Sequence, residues 1–180
     1  MIKVTASILS IILLAGCSST SANESSEQTS QLKPPSSCEQ SAVIAAFDAQ
    51  VPGSKYVPTE WQPAEGTDLY DVYQAGGIAC TYGIQVAEVG GTVMWAPNSD
   101  NLWDRKAQEW LALGQRQIDL PGIDEQDAYI LKEGSTSADE MHLWGVNLLI
   151  NGVWIQVNAS FLQNIDEATP IIEAAISSLS

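Results

Sequence analysis

Apolar positions along the chain fall into three regimes. They are nearly continuous from Val4 to Gly16, and nearly absent from Ser18 to Ser37, where Leu32 is the only large apolar residue. From Cys38 onward they recur at the spacings of helices and strands. Ser41–Asp48 places Val43, Ile44 and Phe47 on one helical face. Pro52–Gly53 ends that helix, and the proline-containing stretch 52–68 reads as a loop carrying Trp61. Three strands are predicted next, Leu69–Ala75, Ile78–Val89 and Thr92–Ala96. Gly76–Gly77 and Gly90–Gly91 separate them, glycine pairs that permit the positive-φ turns of hairpins. In Asn101–Leu113 the residues Trp103, Ala107, Trp110 and Leu111 repeat with helical period, and Gly114 follows in the usual stop position. This stripe reads as a core-facing side.

After a connector around Pro121–Gly122, Ala128–Lys132 reads as a strand and Glu133–Glu140 as a polar loop. His142–Ile150 and Val153–Phe161 flank Asn151–Gly152, the strongest short hairpin signal there is. Thr169 and Pro170 then read as cap and first residue of a final helix, whose buried face would hold Ile171, Ile172, Ala175, Ile176 and Leu179. The pattern predicts an α+β fold, an antiparallel six-stranded sheet with flanking helices. Its order would be α-βββ-α-βββ-α, with the two halves spaced like an internal duplication.

A two-residue Asn151–Gly152 turn fixes register. Ile150 then faces Val153, Leu148 faces Ile155 and Val146 faces Val157, and this apolar set must be buried. The opposite face carries Leu149 with Trp154, Asn147 with Gln156, and Gly145 with Asn158. An aromatic, amides and a bare glycine suit contact with a partner, and Trp is enriched in binding hot spots. Trp154, Asn147, Gln156 and Asn158 are therefore the candidate binding surface. The alternative is that a helix or loop covers this face.

The first regime is too short to span a bilayer, which takes roughly 20 apolar residues. Lys3, a short apolar core and small residues before a cut site make a secretory signal over residues 1–16. Leu14–Ala15–Gly16–Cys17 resembles the bacterial lipobox, and by that resemblance Cys17 is the lipidated residue. The alternative is an ordinary signal with an incidental cysteine. Residues 17–37 cannot bury enough surface to offset their ordering entropy and read as a disordered tether. Residues 38–180 read as a single globular domain.

Two cysteines remain, Cys38 and Cys80, and an even pair in an exported domain reads as a disulfide. Closing a loop of about 43 residues could contribute roughly 4 kcal/mol in the chain-entropy model. A metal site on these cysteines lacks partners, because His142 is the only histidine. The chain has 7 basic and 22 acidic residues, net −15. Loss of Lys3 with the signal would leave six against 22, net −16. Such charge excludes nucleic acid, whose binding depends on phosphate neutralisation. It also leaves membrane attachment to the lipid.

The lipobox, the polar tether, a cysteine just before the first helix, "GGIACTYG" at 76–83, "LPGIDEQDAY" at 120–129 and "NGVWIQV" at 151–157 occur together. In this combination the chain resembles the uncharacterised cysteine-containing lipoproteins of actinobacteria. It is also similar to the extracellular sensor domains of actinobacterial Ser/Thr kinases. The resemblance implies an antiparallel sheet with helices and a cleft, and no settled activity. The kinase domains typically carry two disulfides, where this chain can form one.

Catalytic patterns are weak. No G-x-S-x-G elbow occurs, "GSTSA" at 134–138 does not supply one, and His142 has no paired nucleophile. "PNSDNLWD" and "DLPGIDEQD" carry oxygen ligands without EF-hand spacing, so no metal is expected. Without a dinucleotide or phosphate fingerprint, no cofactor is expected either. The sequence thus predicts a lipid-anchored, extracytoplasmic binding or accessory domain of the cell envelope, non-catalytic. It would face a ligand or protein partner at the outer side of the cell membrane. The alternatives are an envelope-acting hydrolase using unidentified carboxylates, or a purely structural envelope protein.

Overall fold

The structure, a computed structural model, describes residues 32–133 and 143–180. The signal, Cys17, residues 17–31 of the tether, "GSTSA" and His142 lie outside the described residues. The fold is α+β, with four helices and one antiparallel sheet of seven strands in the order β1-β2-β3-β7-β6-β5-β4. The elements run α1 (Ser41–Gln50), β1 (Lys55–Val57), α2 (Asp68–Gln74), β2 (Ile78–Ile84), β3 (Val89–Pro97), α3 (Leu102–Ala112), β4 (Arg116–Gln117), β5 (Asp127–Glu133), β6 (Leu143–Ile150), β7 (Val153–Ala159) and α4 (Ile165–Ser177).

The six-strand count and the α-βββ-α-βββ-α order are therefore corrected. Leu69–Ala75 is a helix, because its start is capped: the Thr67 hydroxyl accepts from Tyr70 N at 3.2 Å. Asp68 and Asp71 in the first turn complement the helix dipole. Those signals override the strand preference of Tyr70, Val72 and Tyr73. Short edge strands β1 and β4, too brief to show a period, complete the sheet. The two halves contribute three and four strands. Their leading helices, α1 and α3, pack on opposite faces, unlike copies of one unit.

Gly90–Gly91 is not a turn. The chain reverses at Gln85–Glu88, and both glycines lie within β3. There Gly90 pairs with Gly83. A Cβ at Gly83 would stand 2.2 Å from Val89 O, and one at Gly90 2.4 Å from Tyr82 O, so the strands can approach this closely only without side chains.

The final helix begins at Ile165, not Thr169. Asn164 accepts from Glu167 N at 3.1 Å, and the Glu167 carboxylate accepts from Gln163 N at 2.8 Å. This reciprocal cap stabilises a start upstream of Thr169, which instead donates its hydroxyl to Ile165 O. Pro170 consequently sits inside the helix.

One sheet face packs on α1 and α4, through Val43, Phe47, Ile171 and Ile172 against Tyr82, Trp95, Leu148 and Ile155. The other packs on α2 and α3, through Val72, Trp103 and Trp110 against Met94, Tyr129 and Trp154. The β6–β7 register matches the sequence expectation at every pair from Gly145–Asn158 to Ile150–Val153. Cys38 and Cys80 form a disulfide, which pins the chain ahead of α1 to the second strand of the sheet. Residues 32–37 are not a free tether. Pro35 is buried, and Lys33 and Ser180 exchange backbone hydrogen bonds of 2.9 and 3.2 Å. Among the described residues, no helix is long and apolar enough to cross a membrane.

Candidate functional site

The face carrying Trp154, Asn147, Gln156 and Asn158 is covered for most of its length. Trp154 and Asn147 are each 1% exposed, and Gln156 4%. Helices α2 and α3 cover them, so an open patch centred on Trp154 does not exist. Its ring meets Trp110 at a tilt instead, centroids 5.3 Å apart, and Trp110 in turn contacts Trp103 and Tyr129. Asn158 alone of the four stays half-open.

The structure nevertheless brings these side chains together in one network. Asn147 Oδ1 accepts from Trp154 Nε1 at 3.0 Å and from Gln156 Nε2 at 2.7 Å. Asn147 Nδ2 donates to Gln115 Oε1 at 3.1 Å, and Asn158 Nδ2 donates to Gln156 Oε1 at 2.8 Å. Gln156 Nε2 also donates to Asp68 Oδ2 at 2.6 Å, an oxygen that accepts from Trp110 Nε1 at 3.0 Å as well. Buried polar groups persist only when satisfied in this way.

The Asp68 carboxylate is balanced by Lys106, which is 2% exposed on the inner side of α3. Its Nζ lies 2.7 Å from Asp68 Oδ1, 3.2 Å from Asp71 Oδ2 and 2.5 Å from Glu109 Oε2. Burial alone would push the ammonium down. Its hydrogen bonds to Asp68 and Glu109, the Asp68 charge and the hydrogen bond to Asp71 outweigh that, and hold it above the usual lysine range. The sequence reading missed Lys106, Asp68 and Gln115. A lone lysine between Trp103 and Trp110, on the apolar stripe of a helix, was the available signal. A cation there requires a buried carboxylate partner. Leu111, assigned to the stripe, is instead half exposed.

Beyond α2 and α3 the same sheet face is left open by the described residues. A recess of about 310 Å³ is lined by Asp68, Gln115, Gly145, Asn147, Gln156 and Asn158, with Leu131. A second, of about 470 Å³, extends over β2 and β3 between the Trp61 segment and Ser160. The two meet at Asn158. Gly145 has a role here, since a Cβ on it would stand 2.5 Å from Asn158 Oδ1. Asn158 Oδ1 and Gln115 Nε2 make no hydrogen bond among the described residues, which leaves one acceptor and one donor at the recess.

The two oxygen-rich segments serve the fold. Asn98 Oδ1 accepts from Trp103 N at 2.9 Å at the start of α3, and Asp127 accepts from Gln117 Nε2 and Trp103 Nε1. Among the described residues no cluster of His, Cys, Asp and Glu could hold a metal ion.

Fold and site together define an α/β/α sandwich with one apolar face and one face of amides, indoles and an ion cluster centred on the buried Lys106. No family model, no curated protein and no solved structure matches the chain.

Proposed function

We propose that this chain is a non-catalytic binding domain of a cell envelope, held at the outer face of the cytoplasmic membrane by lipid on Cys17. The observation that carries the binding reading is the convergence of Gln115, Asn147, Gln156 and Asn158 on one recess. Their mutual hydrogen bonds fix each amide in a single orientation, which is the preorganisation that recognition needs. The carboxylate at this site is committed to Lys106, Trp110 and Gln156, an arrangement suited to bracing the amides and not to exchanging protons with a substrate. That favours binding over a carboxylate hydrolase.

The lipobox supports the anchor, and the disulfide is in keeping with an oxidising compartment. Two measurements test the two halves of the reading. Cys17→Ala should leave the precursor uncleaved or release the protein from membranes, and a variant that matures and stays membrane-bound would refute the anchor. A thermal-shift screen of polar small molecules, blind to ligand class, should find compounds that raise Tm in the native chain and not in Asn158→Ala. Equal shifts in both proteins would place binding elsewhere.

A further inference from the structure

We infer that the open trough on the α2–α3 face, resting on the binding reading above, takes a neutral oligosaccharide. Thr81, Thr92, Asn158 and Gly145 lie in register across β2, β3, β7 and β6. At about 4.8 Å per strand this row runs about 14 Å, long enough for a short oligomer. Each of the first three strands presents one neutral side chain that can both donate and accept, matching hydroxyl groups that do the same. Thr59, whose hydroxyl lies 2.8 Å from Thr81 Oγ1, adds a further such group on the wall.

Trp61 forms the aromatic flank. Its Nε1 donates to Ala79 O at 3.1 Å, so its one polar atom is spent on the backbone. The indole is left to line the trough as an apolar surface for the C–H face of a sugar ring. Beside it the Gly83–Gly90 pair leaves the floor bare, so a ring can lie close to the sheet.

Charge selects the ligand further. Among the described residues no Lys or Arg lines either recess, and the carboxylates there are Glu88 and the committed Asp68. In a chain of net −15 an anionic glycan would be repelled with no cation to receive it. An extended peptide is disfavoured for a different reason. Peptides gain affinity by pairing with a strand edge, and here they would meet the face of a sheet whose backbone groups already pair in its plane.

The test is titration calorimetry of the purified full-length protein. The probes are neutral hexasaccharides of glucose, mannose, galactose and N-acetylglucosamine, with hexagalacturonate and a neutral Gly/Ser/Thr hexapeptide in parallel. At least one neutral hexasaccharide should bind. Thr92→Val, which removes only a hydroxyl, should weaken it about tenfold with Tm unchanged. Asn158→Ala and Trp61→Ala should weaken it as much, each with a modest fall in Tm, because they free Gln156 Oε1 and Ala79 O. Tighter binding of the uronate or the peptide would overturn the sugar assignment and leave the binding reading standing. Failure of every neutral hexasaccharide, or full binding by Thr92→Val and Asn158→Ala together, would overturn the assignment as well. A class-blind screen that still found ligands would then keep the broader reading separate.

Discussion

The two faces of the sheet are built from the same strands and stabilised differently. Against α1 and α4, Val, Ile, Leu and Phe interdigitate, and the few polar atoms end on backbone, as Trp95 Nε1 does on Ala175 O at 3.0 Å. Against α2 and α3, indoles alternate with amides and one fully covered lysine answers carboxylates from two helices. Apolar packing is non-directional, so the first face can exchange shapes of equal volume. The second tolerates such exchange far less, because Asn147, Gln156 and Asp68 each hydrogen-bond three other side chains. A surface that must hold amides in one orientation at its rim benefits from such a floor.

Mutations should separate the two regimes. The largest effect is expected from Phe47→Ala on the apolar face, about 4 kcal/mol lost to transfer and cavity terms, measured by urea unfolding and the same from pH 6 to pH 9. Lys106→Met should cost about 3 kcal/mol, since it takes the cation from Asp68 and leaves Asp71 only the half-exposed Arg105 guanidinium at 3.5 Å. The pH dependence has a definite sign. Lys106 titrates higher in the folded chain than in the unfolded one, so its contribution is complete below about pH 10.4 and is lost as pH rises through the higher folded value. The gap between wild type and Lys106→Met should therefore close in strong alkali, and a constant gap would show the loss to be mere packing. The smallest of the three, Asn147→Leu, should cost about 2 kcal/mol by stranding Trp154 Nε1 and Gln115. Combined with Gln156→Leu it should be clearly non-additive, whereas combined with Phe47→Ala it should add.

How legible each face was in the sequence follows from the same contrast. Period-two alternation around Asn151–Gly152 predicted the six β6–β7 pairs from Gly145–Asn158 to Ile150–Val153, because a tight turn leaves one register that buries the apolar set. The disulfide followed from counting thiols. Glycines misled: Gly90–Gly91 reads locally as a turn, but close approach to β2 and β7, a tertiary demand, explains the pair. Leu69–Ala75 reads as a strand because seven residues are too few to show a helical period against the strand preference of Tyr and Val, and the Thr67 cap is what tells them apart. The amides of β6 and β7 were identified as a group. Their coverage stood only as the alternative, with no element named for it, because Asp68 and Lys106 reach them from segments distant in sequence, and no local pattern shows which helices will lie over a strand.

The bridge between Cys38 and Cys80 also decides how the molecule carries tension. Suppose a load is applied to the chain ahead of Cys38, as it would be for a domain held by its N-terminal side. The force crosses the sulfur atoms and enters β2 directly. The intervening stretch, 42 residues in sequence separation, holds α1, β1 and α2 and lies outside the loaded path. Asp68, the residue on which the ion cluster turns, sits within that sheltered loop. Reduction would release a slack of up to about 140 Å of chain and put α2 in series with the pull. An oxidised domain can thus be tugged without disturbing the floor of its amide-lined face.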